Sequence, residues 1–167
     1  MRAIIEQDPA LSSIARLELV GWAHLIWLAA GAVRAHVQRR KGSFGPMALS
    51  DDQLALLDET LEVRIETRED HDAYKTIVWV VISDGEVYVR SVNGEKGRWY
   101  QRTLSNPFVA IHVDGERLEF RAVHVKDPDT IQAVSDALRG KYPPGGSLDR
   151  MTREEVLDTT LHLEPQS

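Results

Sequence analysis

Residues Ile77 to Trp99, IVWVVISDGEVYVRSVNGEKGRW, constrain the fold of this chain more than any other stretch. Two runs rich in Val, Ile, Trp and Tyr meet at Asp84-Gly85. An Asp-Gly pair between apolar runs specifies a two-residue hairpin, because both central residues of the favoured turn need positive φ. That turn pairs Ile82 with Val87, Val80 with Val89 and Val78 with Ser91 on one face. Trp79, Val81, Tyr88 and Arg90 line the other. Both faces are mainly apolar, so each must be covered, as in a closed barrel with a helix or a second subunit packed outside. The following segment, Arg90 to Arg102, reads as a glycine-bearing loop with four cations against the single Glu95.

The rest of the main domain extends this β pattern. Ser50 with Gln53 is a capping box opening a helix whose Leu54 and Leu57 face inward. Leu61, Val63 and Ile65 alternate with Glu62, Arg64 and Glu66, as in a half-buried strand, and Arg68 to Asp72 reads as a solvated loop. A second hairpin, Phe108 to Val125, turns at Asp114-Gly115. It buries Val109, Ile111, Val113, Leu118 and Phe120 and turns His112, Arg117, Glu119 and Arg121 outward. Asp127-Pro128 starts a helix carrying Ile131, Val134 and Leu138 that ends at Gly140. Thr152 with Glu155 reads as a second capping box, and Thr159 to Glu164 as a last strand stopped by Pro165. Six strands with peripheral helices describe an α+β, mainly β chain: a six-stranded antiparallel barrel, closed or partly open, over residues 47–167.

Residues 1–46 form a separate unit in this reading, a long N-terminal helix from Asp8-Pro9 to Gly42 followed by the linker KGSFGP. Ile14, Leu17, Leu25 and Leu28 make one apolar stripe, and Leu19, Trp22, Ile26 and Val33 another about 100° away. One core does not cover so wide an arc, so the helix is expected to pack in a homodimer. The rival is membrane contact, since Leu19 to Val33 carries no formal charge and Arg34, Arg39, Arg40 and Lys41 follow. Fifteen residues rise only about 22 Å, short of the roughly 30 Å hydrocarbon core, which favours the dimer.

Several function classes fall away on composition. A net charge of −6 argues against a general nucleic-acid binder. Without cysteine there is no thiolate nucleophile and no cysteine metal site, and the chain suits a reducing cytoplasm. No signal peptide is read at the N-terminus. The six histidines lack metal-ligand spacing, so no metal is expected, and neither a Ser-His-Asp set nor a dinucleotide fingerprint is present. What remains is Arg90 to Arg102, where charge-assisted donors beside glycines suit a phosphate. Trp99 either stacks on a ring or anchors the loop to the core. Trp79 and Tyr88 either floor a ring pocket or pack. Lys141-Tyr142 either closes that pocket or ends a helix with a favourable cation.

Trp79, Tyr88-Val89-Arg90-Ser91, Gly94 and Trp99, then Lys141-Tyr142 and Thr159 to Pro165, give a further lead. Together they resemble an uncharacterised bacterial family of the FMN-binding split β-barrel superfamily, distantly related to pyridoxamine-phosphate oxidases and deazaflavin-dependent nitroreductases. The resemblance covers roughly 49–165. It implies a homodimer that binds FMN or deazaflavin as an oxidoreductase acting on a small organic molecule. It also makes Arg90, Ser91, Lys96, Arg98 and the amides around Gly94 and Gly97 the candidates for holding the phosphate, through cationic side chains, and for contacting the isoalloxazine edge, through backbone groups. Trp79, Tyr88, Trp99 and Lys141 complete that candidate site. The alternative is a non-catalytic split barrel that binds a small molecule or a partner protein without flavin.

Overall fold

In the computed structural model, the protein is described over residues 4–6 and 48–166; the long N-terminal helix and its dimer or membrane role lie outside the described residues. Both Asp-Gly turns form as their sequence requires. Asp84 and Gly85 have φ of 53° and 82°, and Asp114 and Gly115 have 43° and 82°. They create the hairpins β4 (Val80–Ser83) with β5 (Glu86–Arg90) and β6 (Phe108–Val113) with β7 (Glu116–His124). Val80 faces Val89 and Ile82 faces Val87, the register set by the two-residue turn. The capping box at Ser50 is complete in both directions and starts α1 (Asp51–Glu59).

A third hairpin is not apparent from glycine signals. β2 (Val63–Glu69) runs directly into β3 (Asp72–Val78) through Asp70 and His71, so the expected solvated loop is a tight turn with strand on both sides. Asp70 adopts φ of 51°, a left-handed conformation that Asp tolerates better than most side chains. With β8 (Thr160–Pro165), seven strands lie within the main domain, and β1 (Ile4–Glu6) adds an eighth, parallel to β3. The six-strand expectation is therefore corrected: Ile77 and Val78 belong to β3, where Val78 pairs with Val63, so the expected Val78–Ser91 pair of the Asp84-Gly85 hairpin does not form.

The strand order is β1-β3-β2-β6-β7-β8-β5-β4. β3 and β4 stand far apart in that order yet are separated in sequence only by Trp79. One residue spans about 3.3 Å, so the sheet curls until its two sides approach at Trp79. The result is a half-barrel. Its inner face holds a core of Val63, Ile65, Val80, Val89, Ile111, Phe120 and Leu163, reached from α1 by Leu57.

Residues 98–105 depart from the expected loop. A 3-10 turn, Gly94–Lys96, leads into α2 (Arg98–Ser105), whose Trp99 and Tyr100 enter the inner core. Burial of two aromatic side chains on successive positions stabilises this short helix despite its charged flank. On the outer face, α3 (Pro128–Lys141) and α4 (Gly146–Thr152) cover Trp79, Val81 and Tyr88 with Val134, Leu138, Leu148 and Met151. α3 starts at the expected Asp127 cap, where the carboxylate accepts from Thr130 N–H at 2.8 Å. The second capping box does not form. Thr152 Oγ1 instead donates to Leu148 O, and α5 (Glu154–Leu157) begins without a side-chain cap.

Candidate functional site

The candidate phosphate residues divide into an inward and an outward set. Arg90 is 2% exposed and donates only to its own chain. Nε reaches Thr160 Oγ1 at 2.8 Å, Nη1 reaches Ser135 Oγ and Met151 O at 3.0 Å, and Nη2 reaches Ile131 O at 3.1 Å. No carboxylate stands among these partners, and burial draws the guanidinium pKa down to about 10. Arg90 thus ties β5 to β8, α3 and α4. The amides of Gly94 and Gly97 are engaged too, donating to Ser91 O at 2.9 Å and Gly94 O at 3.2 Å. Ser91 is fully buried, its hydroxyl unpartnered and so close to Gly97 that a Cβ there would lie 2.2 Å from Oγ. Trp99 is 3% exposed in the inner core, and Trp79 lies flat on Tyr142 at 3.9 Å between ring centroids.

Lys141 behaves differently again. Its ammonium donates at 2.8 Å to Leu57 O and to Val80 O, clamping α1 and β4 to the end of α3. Burial lowers its pKa to about 8, partly opposed by Asp58. Tyr142 continues the clamp: its hydroxyl accepts from Val80 N–H at 3.1 Å and donates to Leu61 O at 2.7 Å.

Lys96 and Arg98 do reach open space. They line a cavity of about 660 Å³ together with Arg68, Arg102, Glu69 and Asp70. Four cations against two carboxylates make it electropositive in a chain of net negative charge. Arg102 is held by Glu69 at 3.1 Å and lies 3.7 Å above the Tyr74 ring. A second cavity of about 510 Å³ adjoins the first through Arg68 and Asn106. Its floor is Glu66, on the outward face of β2, with a side chain 8% exposed. Glu66 accepts from His112 Nε2 at 2.7 Å, Arg117 Nη2 at 3.2 Å and Arg68 Nη2 at 3.4 Å. Burial alone would raise its pKa, but the bonds from His112 and Arg117 prevail and hold it below the ordinary glutamate value.

Arg68 and Glu66 were absent from the sequence-derived site. Their signal was the alternation of Arg64, Glu66 and Arg68 with Val63, Ile65 and Thr67, which continues past the point where a loop was expected. Among the described residues, no group of three or more His, Cys, Asp or Glu is placed to hold a metal ion. No helix among them is long and apolar enough to cross a membrane.

The curled, mainly antiparallel half-barrel with helices packed on its outer face is a split-barrel fold. Within it, this chain belongs to the family described as an uncharacterized protein conserved in bacteria (DUF2255), whose model matches residues 53–163. No curated protein matches the sequence. A conserved hypothetical protein of Mycobacterium tuberculosis is similar in structure, with a TM-score of 0.56 at 16% identity over 77% of this chain and 87% of that one. A provisionally assigned pyridoxamine 5′-phosphate oxidase of Listeria innocua gives 0.54 at 13% identity over 70% and 93%. An FAD binding protein of Mycobacterium smegmatis gives 0.51 at 17% identity over 71% and 92%. At such identities the likeness is one of fold.

Proposed function

We propose that the protein binds a phosphate-bearing flavin-type cofactor, FMN or deazaflavin, and acts as an oxidoreductase on a small organic molecule. The observation that carries this reading is the electropositive cavity in which Lys96 and Arg98 converge with Arg68 on a split-barrel scaffold. Charge-assisted donors from lysine and arginine are the usual means of holding a phosphate. The fold is shared with an FAD binding protein, which supports the class of ligand without specifying it. Lys96, Arg98 and Arg68 would hold the phosphate. The bound ring would supply the hydride chemistry, so no acid or base from the protein is obligatory. The protein's own contribution is to bind, orient and exclude water. A homodimer in the cytoplasm remains part of the reading.

The absorption spectrum of freshly purified protein, followed by titration with FMN, deazaflavin and riboflavin, tests it. FMN is expected to bind more tightly than riboflavin, which lacks the phosphate. The Lys96→Ala/Arg98→Ala double variant should weaken FMN by about tenfold or more, the loss expected for charged hydrogen bonds. A colourless protein indifferent to all three ligands defeats the flavin assignment. It would favour the second reading, a split barrel binding a small molecule or partner protein without flavin. That reading draws support from the inward burial of Arg90, Trp99 and both glycine amides.

A further inference from the structure

The two compartments of the groove differ in charge. The Lys96 compartment is electropositive, whereas its neighbour sets Arg68 and Arg117 against Glu66 and Glu119 and is balanced. A balanced cavity gives no net attraction to a phosphate, and a dianion inside it would meet two carboxylates. An apolar molecule would strip water from four charges without replacing their hydrogen bonds. The remaining class presents acceptors and donors together while carrying no net charge.

The geometry is arranged for such a molecule. Glu66 anchors Arg68 and Arg117 through one buried oxygen, fixing both guanidiniums at the cavity floor. Each guanidinium carries five N–H donors, so donors remain on both for a ligand's carbonyl oxygens. The Glu119 carboxylate, which already accepts from Arg117 Nη1, and the Asn106 amide stand on the same wall and keep lone pairs for a ligand's N–H groups. Asn106 Oδ1 already accepts from Phe108 N–H at 3.1 Å, which holds that side chain beside the Phe108 backbone. Phe108 itself is 59% exposed on the outward face of β6 and offers its ring as a platform. The cavity, about 510 Å³, is of the size that encloses small heterocycles.

We propose that this compartment binds a flat heterocycle of no net charge bearing both carbonyl acceptors and N–H donors. It stacks on Phe108, its carbonyls facing Arg68 and Arg117 and its N–H groups facing Glu119 and Asn106. Glu66 is a positioning residue that sets the two arginines. The site is defined without reference to flavin. It serves either a free heterocyclic substrate or the ring of a ligand whose phosphate lies in the adjoining compartment.

Lumazine, a flat bicyclic dione, is the probe, titrated into isotope-labelled full-length protein by NMR with benzoate as a flat but charged control. Shifts are expected at Glu66, Phe108, Ala110, Arg117 and Glu119, with benzoate binding more weakly. Phe108→Ala and Arg117→Gln should each weaken lumazine about tenfold while inorganic phosphate binding at Lys96 and Arg98 stays unchanged. Phe108 is exposed, so its variant tests the site even if Arg117→Gln unfolds. Competition between FMN and lumazine would identify the compartment as the place of the cofactor's ring, and simultaneous binding would make it a substrate site; both uphold the proposal. Benzoate binding as tightly as lumazine, shifts confined to Lys96 and Arg98, or indifference to Phe108→Ala would overturn it. Lumazine binding in a protein that ignores FMN would retain this site while removing the flavin assignment.

Discussion

Arg90 and Arg68 both point outward from strands of the same curled sheet, and their fates are opposite. Arg90 lies under α3 and α4, 2% exposed, with four neutral oxygens around it. Arg68 lies on the β2–β6–β7 face, which no helix among the described residues covers, its side chain 53% exposed and its guanidinium held by Glu66. Their strands also differ in what accompanies them. Beside Arg90 the outward positions are Trp79, Val81 and Tyr88, which demand an apolar cover. Beside Arg68 they are Arg64, Glu66, His112, Arg117 and Glu119, which do not. An arginine's neighbours on its own face therefore decide whether it becomes a structural tie or part of a ligand surface.

The sharpest way to break this contrast is to remove each arginine. Arg90→Ala leaves several buried oxygens without a donor and opens a cavity, so it should cost roughly 3–5 kcal/mol in urea unfolding. Arg68→Ala removes a largely solvated ion pair and should cost less than about 1 kcal/mol, while weakening phosphate and lumazine alike. Equal losses of stability would mean that the two faces are not distinct in kind.

Tyr142→Phe probes the covered face again on a smaller scale. It orphans the Val80 N–H and the Leu61 carbonyl beneath the Trp79 stack, a loss of about 1–3 kcal/mol by thermal unfolding. On the open face, Glu66→Gln should remove about 1–2 kcal/mol near neutral pH. Because the folded pKa of Glu66 is lowered, its contribution is fully present above the unfolded value of about 4.3 and disappears as pH falls through the folded value. The wild type should therefore lose its advantage over Glu66→Gln only in acid, and an advantage independent of pH would remove the charge from the account.

The clamp at Lys141 is read through pH rather than through a lost bond. The folded pKa of Lys141, lowered to about 8, lies below the unfolded value of about 10.4, so the unfolded chain holds more protons between them. Stability should rise with pH across that window in the wild type, and less so in Lys141→Met. A parallel pH profile for the two would show that the clamp does not bury the charge.

Local chemistry made much of the fold legible. Asp84-Gly85 and Asp114-Gly115 specified two hairpins and their registers, and Asp127-Pro128 specified the start of α3. Asp70-His71 carries no glycine, which concealed the β2–β3 turn and with it the correct strand count. Gly94 and Gly97 concealed α2, because glycine and cations in sequence suggest an exposed loop whereas the helix is held by the burial of Trp99 and Tyr100. At the candidate site, Lys96 and Arg98 were legible as cations beside glycines. Arg68, Glu66 and Phe108 were not, since alternation marks a strand's outward positions without saying which of them line a groove.

By itself the amino-acid order determined which segments are strands, where most of them turn and which side chains alternate across them, because φ preference and two-residue periodicity act over a few neighbours. Only the tertiary structure decided that β3 and β4 meet around Trp79, that helices close over Arg90, and that Arg68 joins two cavities. Those outcomes depend on which face of a curled sheet is covered, and that is settled by packing between residues far apart in the chain.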